Sequence, residues 1–282
     1  FDYRRKNQVN SIKLGVLGNP VAHSRSPEIH HQFAAELGIN ISYEKVLVPE
    51  GAFVSVAESF LESGAGFNVT LPCKRDAWEF VDEASDRANQ AAAVNTVSVM
   101  RGGRLRGDNT DGPGLVNDLL LNLGWQIEGK KILVIGAGGA VSGVMGSLLS
   151  ESPTSVHITN RSYERALKLE KIFEGVTAVK MDAVQESYDL VINGTSAGLS
   201  NQDLVIPGSL ITRETRCYDM IYGAGVTRFN DWCLRQAKCE TADGLGMLVE
   251  QAALAFGIWF QGIANGSPDT KSVLQGIRNK LN

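Results

Sequence analysis

Cysteine and histidine are scarce in this chain: its 282 residues include Cys 4 and His 4. Cys73, Cys217, Cys233 and Cys239 are scattered with no Cys-x-x-Cys pair, which argues against a disulfide framework, and no metal site is expected. They read as buried free thiols of a reduced, cytoplasmic protein. His30-His31 falls on an expected helix with no Cys or carboxylate at ligand spacing and is read as structural. Cationic excess is also absent, because Lys+Arg 27 against Asp+Glu 31 gives 27 − 31 = −4. No electrostatic footprint for nucleic acid or for an anionic membrane surface follows from that balance, so any positive charge that matters must be local. Long apolar runs are missing: the most apolar stretch, Leu245 to Ala264, is interrupted by Glu250, Gln251 and Gln261 and is too polar to span a bilayer. The basic, polar start, Phe1 to Gln8, lacks the apolar core of a secretory signal and is expected to be a frayed tail.

What remains is an ordinary globular composition, 43% hydrophobic and 21% charged. At about 100–200 residues per domain, the length favours two lobes. Glycine is the excess: Gly 30 is about a tenth of the chain against a usual ~7%. Short β-branched runs alternate with helical patterns. Strands are expected at 12–17, 41–48 and 66–70, helices at 27–37 and 52–63, and a hairpin-like pair at 94–100 and 104–106 turned at Gly102-Gly103. Pro27 behind Ser26 is a good helix start. A helix at 112–123 leads into a second alternation: strands at 132–135, 156–159, 190–193 and 217–221, with helices at 140–149, 163–173 and 228–237. Helical spacing returns at 245–264 and 270–280. Strand and helix in turn imply an α/β fold with parallel sheets and helices on their faces.

The strongest local signal is the strand Lys131 to Ile135 running into Gly136-Ala137-Gly138-Gly139-Ala140 and a helix. Glycines there let the backbone turn and approach a dinucleotide pyrophosphate, and the helix supplies unpaired N–H groups and its positive end. The third glycine of G-x-G-x-x-G is replaced by Val141, so the fingerprint is incomplete. At the end of the next strand, where an enzyme using NAD places a carboxylate for the ribose 2′-hydroxyl, this chain has Asn160-Arg161-Ser162, with Arg165 a turn later. Two guanidiniums and a hydroxyl suit a 2′-phosphate, which points to NADP.

Four polar clusters lie at expected strand ends: Ser24-Arg25-Ser26-Pro27, Asn68-Val69-Thr70-Leu71-Pro72-Cys73-Lys74, Ala93-Val94-Asn95-Thr96 and Gly107-Asp108-Asn109-Thr110-Asp111-Gly112. In parallel α/β lobes that edge binds ligands. Ser26 and Asp111 could instead cap helices. Together with Asn193-Gly194-Thr195-Ser196-Ala197-Gly198, Tyr218-Asp219-Met220-Ile221-Tyr222 and Asp243-Gly244-Leu245-Gly246-Met247-Leu248-Val249-Glu250-Gln251-Ala252, these motifs resemble the signatures of the shikimate dehydrogenases, in that family's order, from about Lys13 to the C-terminus.

The resemblance implies reduction of 3-dehydroshikimate to shikimate with NADPH, a step of chorismate and aromatic amino-acid biosynthesis. It implies that Ser24 and Ser26 hold the substrate carboxylate, that Asn68, Thr70, Asn95, Tyr222 and Gln251 complete the pocket, and that Lys74 and Asp111 are the catalytic pair. It also implies cofactor contacts at Thr195, Ser196, Ile221, Gly244 and Met247 beside the glycine loop. The chemistry agrees: hydride arriving at a ketone leaves charge on oxygen, no metal-ligand spacing is present to supply a Lewis acid, and the Lys74 ammonium can donate to the forming alkoxide.

Three positions depart from the family pattern. Ser142 stands where a basic residue is common, Cys73 where an aromatic is common, and Gly194 where alanine is more usual, a change expected to matter little. Two other readings stay open: a quinate/shikimate dehydrogenase accepting NAD, against which Arg161 and the Ser24/Ser26 pair argue, and a non-catalytic NADP-sensing module, against which Lys74 and Asp111 argue. The expected organisation is a substrate-binding α/β lobe at 11–112, a Rossmann-type NADP-binding lobe at 113–242, and C-terminal helices at 243–282 packing back on the first lobe, as a monomer or homodimer.

Overall fold

A computed structural model of the chain describes residues 11–184, 186–195, 206–264 and 266–281. The expected N-terminal tail and Ser196-Ala197-Gly198 lie outside the described residues. The chain divides into two compact units, one holding the residues up to Thr110 with Gln251–Val273, the other Asp111–Glu250 with the segment from Leu274 on.

The first unit is a mixed six-stranded sheet in the order β2-β1-β3-β5-β6-β4. Its strands are β1 (Ile12–Gly18), β2 (Ile41–Leu47), β3 (Gly66–Val69), β4 (Glu83–Ala84), β5 (Thr96–Val99) and β6 (Leu105–Asp108). Helices α1 (Ser26–Glu36), α2 (Phe53–Leu61), α3 (Lys74–Phe80) and α4 (Asp86–Ala91) connect them. β1 pairs in parallel with both β2 and β3, whereas β5 runs antiparallel to β3 and β6. The antiparallel portion comes from the expected hairpin, whose turn, Arg101–Gly103, needs the left-handed backbone of Gly102 (φ 83) and Gly103 (φ 81). One core of this unit gathers Leu17, Val48, Phe53, Phe60, Phe67 and Val97, with Phe60 edge-on to Phe67 at 5.8 Å. The chain leaves β1 for β2 on one side and returns to β3 on the other, so the strand order reverses between β1 and β3. A crevice at the carboxyl ends of those strands is where such sheets bind ligands.

In the second unit all six strands are parallel, in the order β12-β11-β10-β7-β8-β9. They are β7 (Lys131–Ile135), β8 (Ser155–Thr159), β9 (Val176–Ala178), β10 (Leu190–Asn193), β11 (Arg216–Asp219) and β12 (Glu240–Asp243). Their helices are α5 (Asp111–Asn117), α6 (Gly139–Ser150), α7 (Tyr163–Ile172) and α8 (Arg228–Ala237); α9 (Leu245–Trp259) and α10 (Thr270–Leu281) follow. β7 and β10 are uninterrupted apolar runs because both faces are covered, and Ile132, Val134, Val144, Leu148, Ile158 and Ile192 share one core. Here the strand order reverses between β7 and β10, directly beneath the glycine loop.

The structure departs from the sequence expectations in four places. α3, α4, β4, β9 and β12 were not expected; each is a single turn or two of helix or an edge strand too short for periodicity to register. The helix expected at 112–123 is α5 followed by a π-turn, Asp118–Asn122. The unit boundary falls between Thr110 and Asp111 rather than after 112. The C-terminal helices do not group with the first unit as a block. Residues 243–250 and most of α10 belong to the second, where Arg278 of α10 grips Asp243 of β12 with both guanidinium nitrogens at 2.5 and 2.6 Å. The half of α9 from Gln251 on belongs to the first unit, anchored by Trp259 Nε1 donating to Val97 O at 3.0 Å.

Candidate active site

The strand ends of the first unit are built around one buried amide. Asn68, at the end of β3, is 5% exposed, and all four of its hydrogen-bonding positions are taken. Its Oδ1 accepts from Tyr43 Oη at 2.6 Å and from His30 Nε2 at 3.1 Å, while Nδ2 donates to Asn95 O and to Thr96 Oγ1, both at 3.1 Å. Thr96 Oγ1 then donates to Asn95 Oδ1 at 2.9 Å, which also accepts from Thr110 N at 2.9 Å. Asn95 Nδ2 donates to Thr110 Oγ1 at 2.9 Å and to Gln251 Oε1 at 3.3 Å. The hydroxyl of Ser24 accepts from Ser26 N at 3.2 Å and lies 3.1 Å from Ser26 Oγ, and Ser26 lies against Tyr43 Oη. So Ser24, Ser26, Asn95 and Gln251 are tied into a single polar network with Asn68 at its hub. Ser26 caps nothing; it is already the first residue of α1.

Asn68 thus orients its neighbours at the strand end where the family resemblance also places a substrate contact. Sequence reasoning missed Tyr43, a mid-strand residue that looks like any half-buried polar one, and gave Thr96 and Thr110, which lie in two of the polar clusters, no role of their own. Asp108 is a second anchor: it takes Arg87 through Nε at 2.7 Å and Nη2 at 3.0 Å and accepts from Asn109 N at 2.7 Å, fixing the strand end that leads to Thr110. Thr70 and Lys74 follow β3. Lys74 is half-buried at the start of α3, and its carbonyl accepts from Val94 N at 2.8 Å. Cys73 beside it is 3% exposed in the apolar core, so it packs the wall as expected, and burial pushes its thiol upward.

His30 stacks on Tyr43 at 4.6 Å and is fully buried. Because Asn68 Oδ1 accepts, Nε2 carries the proton, and Nδ1 has no hydrogen-bond partner among the described residues. Burial pushes its pKa from 6.5 down to about 3, against a smaller raising effect of Asn68.

In the second unit the loops after four adjacent strands are stitched together. Gly136 adopts φ 114 and has the backbone of Gly194 where a Cβ would sit, at 3.0 Å, so only glycine serves there. Gly138 and Gly139 face open space, as a backbone cradle for phosphates requires, and α6 begins directly behind them, with Ala140 in its first turn. Asn193, ending β10, accepts from Thr195 N at 3.1 Å and donates to Asp219 Oδ1 at 2.9 Å; Ile221 N donates to the same oxygen at 3.2 Å, and Gly244 N donates to Ile221 O at 3.1 Å. Burial holds the Asp219 carboxyl above its usual range. Thr195, Ile221 and Gly244 therefore stand together around the strand ends, with Met247 packed beneath them in the core. Ser196 lies outside the described residues. After β8, Asn160 Nδ2 donates to Ser162 O at 2.9 Å, and Arg161, Ser162 and Arg165 are exposed at the positive end of α7. No carboxylate ends β8. Two guanidiniums with no carboxylate at this strand end suit a 2′-phosphate. Asp111, 6% exposed, opens α5, and Tyr222 follows β11, half-buried; both belong to this unit.

Two departures from the glycine pattern turn out to be one. A Cβ on Gly194 would overlap Cγ2 of Val141, the residue that replaces the third glycine. Helix α6 packs closely on β10 through either small partner, so Gly194 matters more than the sequence suggested.

Two measurements test these packing and charge arguments. Unfolded His30 takes a proton near pH 6.5 and folded His30 only near about 3. The unfolded chain therefore binds the extra proton between those values, and stability falls as pH drops below 6.5, by up to about 1.4 kcal/mol per pH unit from this group. Urea unfolding at pH 7 and 5 should give a shallower dependence for His30→Gln, which keeps a donor and cannot titrate; equal slopes would clear His30 as the cause. Gly194→Ala should cost about 1–3 kcal/mol by overpacking, and Val141→Ala in the same chain should recover most of it, read as the coupling in a double-mutant cycle.

Comparison with known proteins adds to this geometry. Residues 16–97 match the family profile described as the shikimate dehydrogenase substrate binding domain, and residues 119–206 match that described as shikimate / quinate 5-dehydrogenase. The shikimate dehydrogenase (NADP(+)) of Alkalilimnicola ehrlichii is 46% identical over 270 residues, covering 94% of this chain and 98% of that protein. Among solved structures, an Ael1 enzyme from Pseudomonas putida superposes with a TM-score of 0.87 at 35% identity, over 96% of this chain and 98% of that one. Shikimate 5-dehydrogenase from Thermus thermophilus, in complex with NADP(H) and shikimate, gives 0.83 at 34% identity, over 96% and 100%. With identity near one half across almost the whole length, and both halves of the chain matched in order, the chain belongs to the shikimate dehydrogenase family.

Proposed function

We infer that this protein is an NADP-dependent oxidoreductase that interconverts 3-dehydroshikimate and shikimate. The carrying observation is the glycine cradle followed by two guanidiniums, with no carboxylate ending β8, in a chain 46% identical to an NADP(+)-dependent shikimate dehydrogenase. NADPH supplies the hydride when bound. Gly136, Ala137, Gly138, Gly139 and Ala140 would hold its pyrophosphate, and Asn160, Arg161, Ser162 and Arg165 its 2′-phosphate. Thr195, Ile221, Gly244 and Met247 would border the nicotinamide.

On the substrate side, the Ser24 and Ser26 hydroxyls donate to the carboxylate, with Ser24 Oγ held in place by the Ser26 N–H it accepts from at 3.2 Å. Asn95, Gln251, Thr70 and Tyr222 address the ring hydroxyls. Asn95 and Gln251 are oriented for this by the Asn68 network, so the substrate meets amides that need no reorganisation. The Lys74 ammonium donates its proton to the ketone oxygen as charge develops there and takes one back from solvent between turnovers, and the family resemblance makes Asp111 its catalytic partner. Ketone, hydride and one proton give the alcohol, so the acid must act once per turnover. A cytoplasmic location is supported by four free thiols and by the biosynthetic role of the relatives.

A spectrophotometric assay of shikimate and quinate, each with NADP and with NAD, tests the reading. Shikimate with NADP should be fastest; quinate with NAD fastest would favour the quinate-type enzyme, and no turnover with any pair would leave a sensing module. Lys74→Ala should lose most of kcat with a modest change in KM, and near-normal turnover would remove Lys74 from the proton step.

A further inference from the structure

Three of the four cysteines, separated by as many as 22 positions, meet inside the second unit. Cys217 sits on β11, Cys233 on α8, and Cys239 just before β12. Between the last two, Lys238 takes the left-handed conformation (φ 51) that ends α8 and turns the chain back, so Cys239 faces the helix it has just left. The three are 0%, 0% and 2% exposed. Their Sγ atoms all lie within 4.8 Å of one another, Cys217 and Cys239 at 3.5 Å, with no disulfide. Around them are Leu133, Val191, Leu210 and Phe229, an apolar shell.

We propose that Cys217, Cys233 and Cys239 form a binding site for a monovalent thiophilic d¹⁰ cation, Cu(I) by its chemistry. A metal bonded to sulfur at about 2.3 Å and lying in the plane of three sulfurs needs them about 4.0 Å apart, a spacing small side-chain rotations would reach from the one observed. The donor set is all soft sulfur, which excludes calcium and magnesium, and no fourth ligating side chain joins it among the described residues, so it does not complete the tetrahedral set of structural zinc. Three sulfurs in an apolar shell suit an ion content with two or three thiolates. On binding, two thiols release their protons to solvent, the third sulfur coordinates as the neutral thiol, and the resulting single negative charge lies near Arg216, whose charge acts on Cys239. No electron is transferred.

The test uses the full chain, reduced and kept free of oxygen, incubated with Cu(I) buffered by a colorimetric Cu(I) chelator and then desalted. The expected result is one Cu(I) retained per chain, with ultraviolet thiolate-to-copper absorbance, about two protons released, and a raised Tm. Cys217→Ala, Cys233→Ala and Cys239→Ala should each lose the ion and the Tm rise, and Cys73→Ala should keep both. Should the variants misfold, the wild-type chain still decides. Retention of less than one ion per chain by the wild-type chain, unchanged retention in a Cys217→Ala/Cys233→Ala/Cys239→Ala variant that keeps its circular dichroism, or loss of the ion in Cys73→Ala would show three thiols that merely pack.

Discussion

A buried amide must have its hydrogen bonds satisfied, and the polar network at the strand ends of the first unit depends on how that demand is met at Asn68. The peptide carbonyl of Asn95 can only accept, so it fixes which end of the Asn68 amide is nitrogen. That choice makes Oδ1 the acceptor for Tyr43 and His30, sets the tautomer of His30, and passes through Thr96 to orient Asn95 and, beyond it, Gln251. Each member has one arrangement that leaves no polar atom stranded apart from His30 Nδ1, and a network of that kind is rigid. Rigidity is what a site requires if its polar groups are to meet a polyhydroxylated ring without being rearranged by it.

The second unit solves the same problem with a different pair. Asn193 and Asp219 end adjacent parallel strands and bind each other, and their side-chain oxygens also take the N–H groups of Thr195 and Ile221 in the loops that follow. In both units an asparagine ending a strand beside the reversal of strand order converts the end of a sheet into a fixed loop platform. The parallel sheet explains the position: its strand ends present unpaired backbone groups that something must satisfy, and a ligand site is assembled from the same loops.

The alternation of strands and helices was legible because fully buried parallel strands read as short apolar runs, as at Ile132–Ile135. Short pieces such as α3, β9 and β12 were not, since a turn of helix or an edge strand carries too few residues for a period. The glycine loop was legible as chemistry, and the importance of Gly194 was not, because it comes from a contact with Val141 more than 50 positions away. The family's motifs named Ser24, Asn68, Asn95 and Gln251, but that Asn68 ties the others into one hydrogen-bonded network is visible only from its four internal partners.

Sequence alone determined the fold class, the two-lobed plan and the NADP preference read from Arg161 and Arg165, because each of these is written in local order: a period, a turn, a charge at a strand end. Tertiary structure decided what depends on distance through space. It put the boundary at Thr110, drew α10 to the second unit through Arg278 and Asp243, made His30 a buried neutral base within an amide network, and brought together three cysteines that the scarcity and scatter of that residue had suggested were unrelated. Spacing along the chain constrains only neighbours within a few residues, and those contacts join positions that the sheets, not the sequence interval, place side by side.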